Sequence, residues 1–332
     1  MKILQFCGSH PNFGDELNTW LWPRLLPGFF DQDPSHTFIG IGSTIGGVPA
    51  DAGKKIVFGS GFVPHYHAKP EVKGDDWRVY FVRGPRTAAR LGIGPNLAIS
   101  DSGILARTCV NTDNYAPSVV SFMPHWESME RGNWKEVCHE AGINLIDPRR
   151  PVNEVFKEML RSKLVIAEAM HGAIIADALR IPWVPVVPIN SVHRDKWYDW
   201  AESLGMTLQH EMLTPSSFME VSAANFSSAA APIVEYSPAV LDSWVPPSAK
   251  PSLLTRTKRK VEASALSPWI NARLVDLAAN KLMRLSRMTG QLSADAAIEQ
   301  ATARMMEKLD VLEADYGYVR YSQEAVLRRL AA

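Results

Sequence analysis

Apolar residues along the chain fall in short runs that stop at glycine or proline, and these runs define the elements. Residues 2–7 form an apolar run ending at Gly8, the pattern of a buried strand feeding a loop. Asn12-Phe13-Gly14-Asp15-Glu16 then leads into residues 17–21 at helical spacing, with an acidic start that suits a helix N-terminus. The strand pattern repeats over 37–43, 55–61 and 78–82, the last followed by the turn Arg83-Gly84-Pro85-Arg86-Thr87 and a helix carrying Arg90. A second series opens near Pro117, with strands over 118–122, 143–147, 164–167 and 183–187, helices over 152–161 and 173–179, and a turn at His171-Gly172. Strands that end in glycine-rich turns before helices predict a doubly wound, parallel α/β sheet. Two such halves in tandem predict a cleft between them, with ligands at the carboxyl ends of the strands.

From about Ser216 the texture shifts to alanine, serine and proline, as in Ala229-Ala230-Ala231-Pro232, which reads as a linker. After Pro268 apolar residues recur at three and four (Ile270, Leu274, Leu277, Leu282, Leu285), the pattern of one long amphipathic helical element running on to the end. The expected organisation is an N-terminal α/β domain over 1–114 and a second α/β domain over 115–212. A linker over 213–265 and a helical C-terminal extension over 266–332 complete it. Arg256, Lys258, Arg259 and Lys260 precede the extension, and Arg284 and Arg287 punctuate it. Two readings stand: a packing or dimerising helix with a solvated basic face, or an interfacial helix near lipid-linked substrate.

Composition narrows the classes. At 46% hydrophobic and 21% charged residues, the 332-residue chain has the balance of a globular protein. With 35 Lys+Arg against 35 Asp+Glu, no global field favours nucleic acid as partner. Cys7, Cys109 and Cys138 show no C-x-x-C spacing, so neither a disulfide framework nor a zinc site is indicated and a reducing cytosol fits. The N-terminal run reaches Ser9-His10 too soon for a signal sequence or a span, so a cytoplasmic protein is expected.

Several strand ends deliver polar groups. Asp15 offers a carboxylate to sugar hydroxyls or serves the helix start. Gly40-Ile41-Gly42-Ser43 and Gly59-Ser60-Gly61 bare their amides for an anion or answer a steric need, and neither matches a dinucleotide fingerprint or a P-loop. Arg83 and Arg86 suit a forked grip on carboxylate or phosphate, or ion pairs. Asp101 follows the apolar residues 97–99 and is either a cleft group or a helix cap. The fullest motif runs from Ile166 to Pro182. There a strand delivers His171 beside Gly172 onto a small-residue helix, and His is the side chain that exchanges protons near neutral pH.

Taken in order, Asn-x-Gly-Asp, glycine-rich strand ends, Val-Arg before a helix, Asp after an apolar strand and His-Gly-x-x-x-Ala-x-x-x-x-x-Pro resemble the polysaccharide pyruvyltransferase family. The likeness is to its succinoglycan-type branch and covers about residues 1–200. It implies two Rossmann-like domains resembling GT-B, a cleft that binds phosphoenolpyruvate as donor substrate, and transfer of pyruvate to a sugar of an exopolysaccharide or its lipid-linked repeat unit as a ketal. His171 and Asp15 become the catalytic pair. Arg83, Arg86, Gly172, His125 and Arg149 become donor-binding candidates, and Asn12, Asp101, Glu168, Trp126 and Trp197 acceptor-binding ones. No metal and no cofactor is implied. Many relatives carry Ser-Arg-Leu-His where this chain has Glu168-Ala169-Met170-His171, so its donor grip is expected elsewhere. Expected partners are phosphoenolpyruvate and a saccharide or lipid-linked acceptor, with peripheral contact at the inner face of the plasma membrane and a homo-oligomer as further expectations. Two rivals share these features: a GT-B glycosyltransferase using a nucleotide sugar, for which Glu168 supplies a ribose contact, and a non-catalytic glycan-binding relative.

Overall fold

The computed structural model describes residues 1–5, 11–49, 51–113, 115–187, 193–221 and 267–318. It is an α/β structure with two parallel sheets. The first contains β1 (Lys2–Ile3), β2 (His36–Ile39), β3 (Lys54–Phe58) and β4 (Trp77–Phe81), paired in that order. The second has the order β6-β5-β7-β8-β9, from β5 (Val119–Met123), β6 (Asn144–Leu145), β7 (Ser162–Ala167), β8 (Trp183–Val187) and β9 (Glu211–Met212). Strands covered on both faces read as continuous apolar runs, which is why all five residues of β8 and four of the five in β3 are buried.

The helices obey the 3.6-residue period. In α1 (Phe13–Leu25) the residues Phe13, Leu17 and Leu21 are fully buried, with Trp22 alongside. Asn18 on the same face accepts from the Ile41 amide at 2.8 Å and donates to its carbonyl at 2.9 Å, pinning the loop after β2 to this helix. After β4 comes α2 (Pro85–Leu91). The second half adds α3 (Trp126–Arg131), α4 (Trp134–Ala141), α5 (Val152–Leu160), α6 (Met170–Ala178) and α7 (Arg194–Ser203).

Three local expectations change. No strand forms over residues 97–99: Leu97 ends a 3-10 turn (Pro95–Leu97) and Ala98 makes a single bridge to Val82, because Gly94 and Pro95 leave too little strand to pair. His171 lies inside the first turn of α6 rather than on a turn before it. The C-terminal extension is not one continuous helix: α8 (Ser267–Leu285) and α9 (Asp295–Asp315) are separated around Gly290, whose φ of +73° suits glycine. In that break Gln291 pairs with Trp183 through both backbone groups, and buried Asp177 accepts from the Ser293 amide and hydroxyl. Helix α8 buries Val275, Ala278, Ala279 and Leu282 with Trp134 and Val137 of α4, whereas Ile298, Met305 and Leu309 of α9 join the core that holds α1 and Ile104. Of the expected linker only residues 213–221 are described; the basic run 256–260 and residues 319–332 lie outside the described residues.

Candidate active site

A cavity of about 450 Å³ is lined by segments that follow strand ends in both sheets. Asn12 and Asp15 come from the start of α1, Gly42, Ser43 and Thr44 from the loop after β2, and His65, Tyr66 and His67 from beyond β3. His125, Trp126 and Glu127 follow β5, Met170 and His171 follow β7, and His193 and Lys196 follow β8.

His171 is partly buried, with its Nε2 turned inward, 3.8 Å from Oδ2 of the fully buried Asp101. Among the described residues neither atom has a hydrogen-bond partner, while Oδ1 of Asp101 accepts from the Gly103 amide at 2.9 Å. Burial pushes the carboxyl of Asp101 up to about 6 and the imidazole of His171 down to about 3, with Lys196 and Arg83 adding to the latter. Asp101 and the inward nitrogen of His171 both resist charge and face one another, so the charge on one governs the proton affinity of the other. Gly14 makes the approach of α1 possible: a Cβ there would stand 2.1 Å from Nδ1 of His171.

On another wall Nδ1 of His193 lies 2.6 Å from the Tyr66 hydroxyl and its Nε2 is 3.4 Å from Oε2 of Glu127. The His193 ring stacks on His125 with centroids 4.2 Å apart and planes 29° apart. Glu127 also meets Arg131 at 3.2 Å. His125, Glu127 and His193 place their donor atoms within 4.8 Å of one another. Lys196 and Arg131 lie close enough to lower both imidazoles, which weighs against a bound cation there. Burial first, then neighbouring positive groups, holds His125 well below the ordinary imidazole range, and burial lowers His193 against the opposing pull of Glu127, so with His171 they are neutral at pH 7. Lys196 therefore supplies the lining's positive charge, and among the described residues no carboxylate is in ion-pair contact with it. Burial, then Arg83, lowers its ammonium to about 8.

Of the residues read from the sequence, Asn12, Asp15, His125, Trp126 and His171 meet in this cavity. Asn12 donates to Asp15 at 2.8 Å, and burial raises the Asp15 carboxyl. Others lie elsewhere. Arg83 is wholly buried, bonded to Asp199 at 3.0 Å and to Ser43 at 2.7 Å, so it reaches the cavity only through Ser43. Arg86 forks onto Glu202 and Arg90 onto Asp195. Arg149 folds back on Asp147, two residues away. Gly172 is packed against β5, where a Cβ would meet Met123 at 2.7 Å. Glu168 is buried and accepts from the His125 amide and the Ser128 hydroxyl, both at 2.8 Å; it caps α3 and offers no ribose contact. Trp197 is fully buried beside Trp183 and Trp200, with no ring face left for a sugar.

Lys196, Tyr66, His193 and Glu127 escaped the sequence reading. One signal lay nearby: Asp195, Asp199 and Glu202 repeat at helical spacing on α7, and in the fold they meet Arg90, Arg83 and Arg86 in and before α2, which sets α7 beside the cavity with Lys196 in its lining.

No protein-family model matches the chain, and no solved structure matches it. It is 34% identical over 323 residues to the succinoglycan biosynthesis protein ExoV of Rhizobium meliloti, an alignment covering 95% of this chain and all of that relative. At that identity and coverage, with the motif order already described, the chain belongs to the succinoglycan-type branch of the polysaccharide pyruvyltransferase family.

Proposed function

We propose that this cavity transfers the enolpyruvyl unit of phosphoenolpyruvate to paired hydroxyls of an exopolysaccharide sugar or of its lipid-linked repeat unit, closing a pyruvate ketal. The observation that carries this reading is His171, which lines the cavity with the buried Asp101 behind its Nε2, in a lining that also holds the Lys196 ammonium. Ketal formation asks for a proton on the methylene carbon and a cation for a trianionic donor. His171, oriented by Asp101, gives that proton. Lys196 meets phosphate or carboxylate, and the field of Arg83 behind Ser43 reinforces it. A bound trianion restores imidazolium character to His171, because opposite charge nearby favours the charged form. Asp15, held by Asn12, orients the acceptor, and Trp126 offers a half-buried ring for a sugar face.

In this reading the two sheets are the cores of two domains related to GT-B, and the donor fixes the compartment as the cytoplasm. Among the described residues no helix is long and apolar enough to cross a membrane, so a lipid-linked acceptor is met from the face of the bilayer. The test is phosphate release from phosphoenolpyruvate by purified protein with short or lipid-linked saccharide acceptors, with nucleotide sugars as control. Acceptor-dependent release is expected. Turnover with a nucleotide sugar alone overturns the reading in favour of a glycosyltransferase, and glycan binding without any turnover overturns it in favour of a non-catalytic relative.

A further inference from the structure

Proton bookkeeping leaves something for a second group to do. When phosphoenolpyruvate becomes a ketal, two acceptor hydroxyls each lose a proton; one is balanced by the new methyl group and the other leaves on phosphate. His171, with Asp101 behind it, gives one proton at a time. We infer that Tyr66, His193 and Glu127 form a second acid–base group in the same cavity, one that takes the proton of an acceptor hydroxyl as its oxygen attacks. The inference rests on the ketal-forming reading above and concerns residues which that reading leaves unused.

The geometry is a chain of three polar groups. The Tyr66 hydroxyl is 2.6 Å from Nδ1 of His193, and Nε2 of the same ring is 3.4 Å from Oε2 of Glu127, inside ion-pair range though off line for a hydrogen bond. The tautomer with its proton on Nε2 serves both contacts: Nδ1 accepts from Tyr66 while Nε2–H lies on the side of the Glu127 carboxylate. Such contacts tighten when substrate fills a site. Tyr66 enters from beyond β3 and His193 from the start of α7, so the chain joins segments of both sheets across the cavity.

As the acceptor oxygen bonds to the cationic carbon, its proton passes to Oη of Tyr66 and the tyrosyl proton to Nδ1 of His193. The C–O bond that forms uses the hydroxyl electron pair. The imidazolium that results faces Glu127. When the bond from carbon to phosphate oxygen breaks, that proton returns through Tyr66 to the departing phosphate, and the second hydroxyl closes the ketal as its proton resets His171. Burial keeps the Tyr66 phenol protonated, far above its ordinary range, so it relays a proton without resting as phenolate. The groups facing His193 are Tyr66, His125, Glu127, Arg131 and Lys196. The net result lowers its imidazole below 6.5, leaving it a free base at neutral pH.

The experiment uses the full chain, phosphoenolpyruvate and acid-depyruvylated succinoglycan oligosaccharides, reading phosphate release. In Tyr66→Phe and His193→Ala, kcat should fall about 10²-fold, the usual worth of an acid–base group. The KM for phosphoenolpyruvate and the melting temperature should stay near wild type. Added imidazole should restore turnover to His193→Ala, with the acid limb of its pH profile moved towards the pKa of the added base; packing alone predicts no such rescue. Wild-type kcat in Tyr66→Phe, or a folded, donor-binding His193→Ala that imidazole does not rescue, overturns the relay while leaving the ketal reading intact. A wild-type protein that releases no phosphate with these acceptors or with the wider panel removes the reading on which the relay stands.

Discussion

Asp101 and His171 show how much a single distance decides. At 3.8 Å the pair is too long for a hydrogen bond yet wholly shielded from water on the facing atoms, so its energy depends on which of the two carries the proton. His171→Ala should cut kcat by about 10²-fold or more without loss of fold, measured as phosphate release alongside a melting curve. Lys196 makes a sharper pH prediction. Its ammonium titrates near 8 against an unfolded value of 10.5, so the folded protein releases this proton first and the KM for phosphoenolpyruvate should climb as pH rises through about 8. Lys196→Met should abolish that limb and raise KM about tenfold or more, the loss expected when a charge-assisted contact is removed. The sign for stability is opposite. A lysine with a depressed folded pKa costs stability while it is protonated, and the cost fades as pH rises from about 8 towards 10.5. Lys196→Met should therefore melt higher than wild type at pH 7, with a gain that shrinks in alkaline buffer.

Among the elements, the pairing of α2 with α7 matters most to the site. Gly84 lets them approach, since a Cβ there would stand 1.9 Å from the Asp199 carbonyl, and Asp199 accepts from the Thr87 amide at 3.0 Å. Arg83 and Asp199 are both fully buried, so Asp199→Ala strands a guanidinium and should cost about 3–5 kcal/mol in urea unfolding. Glu202→Ala, at the half-exposed end of the same ladder, should cost under about 1 kcal/mol. Equal costs at the two positions would refute the view that burial sets the rank. Activity in the Asp199 variant should fall too, because α7 carries Lys196 and His193.

At the scale of the whole molecule, the cavity draws on both sheets, and the C-terminal helices return to both: α8 packs with the core around Trp134 and α9 with the core around α1. A ligand bound by the folded cavity alone stabilises the entire fold by mass action, about 2.7 kcal/mol at a hundred times Kd. Phosphoenolpyruvate should accordingly raise the melting temperature of the wild type, and that of Lys196→Met by a clearly smaller amount at the same concentration. A shift of equal size in both would place the donor elsewhere.

Local pattern was enough to determine most of the strands, though not β9 and not the absence of one over 97–99, together with the parallel α/β class and several residues that follow strand ends. Apolar runs broken by glycine mark buried strands wherever they fold, and Asn12, Asp15, His125 and His171 follow such runs by a few residues. The fate of each arginine was not legible in the same way. Arg83, Arg86 and Arg149 have the same forked chemistry towards a ligand and towards a carboxylate of the chain, and only the folded neighbours Asp199, Glu202 and Asp147 settled which they meet. Trp197 likewise became core because α7 turns that face inward. The Tyr66 to His193 contact spans 127 positions, and no periodicity within either segment encodes it. What the sequence determined is what neighbours along the chain impose through sterics and burial; what tertiary structure decided is which charges are neutralised before a ligand arrives, since electrostatic pairing depends on distance in space.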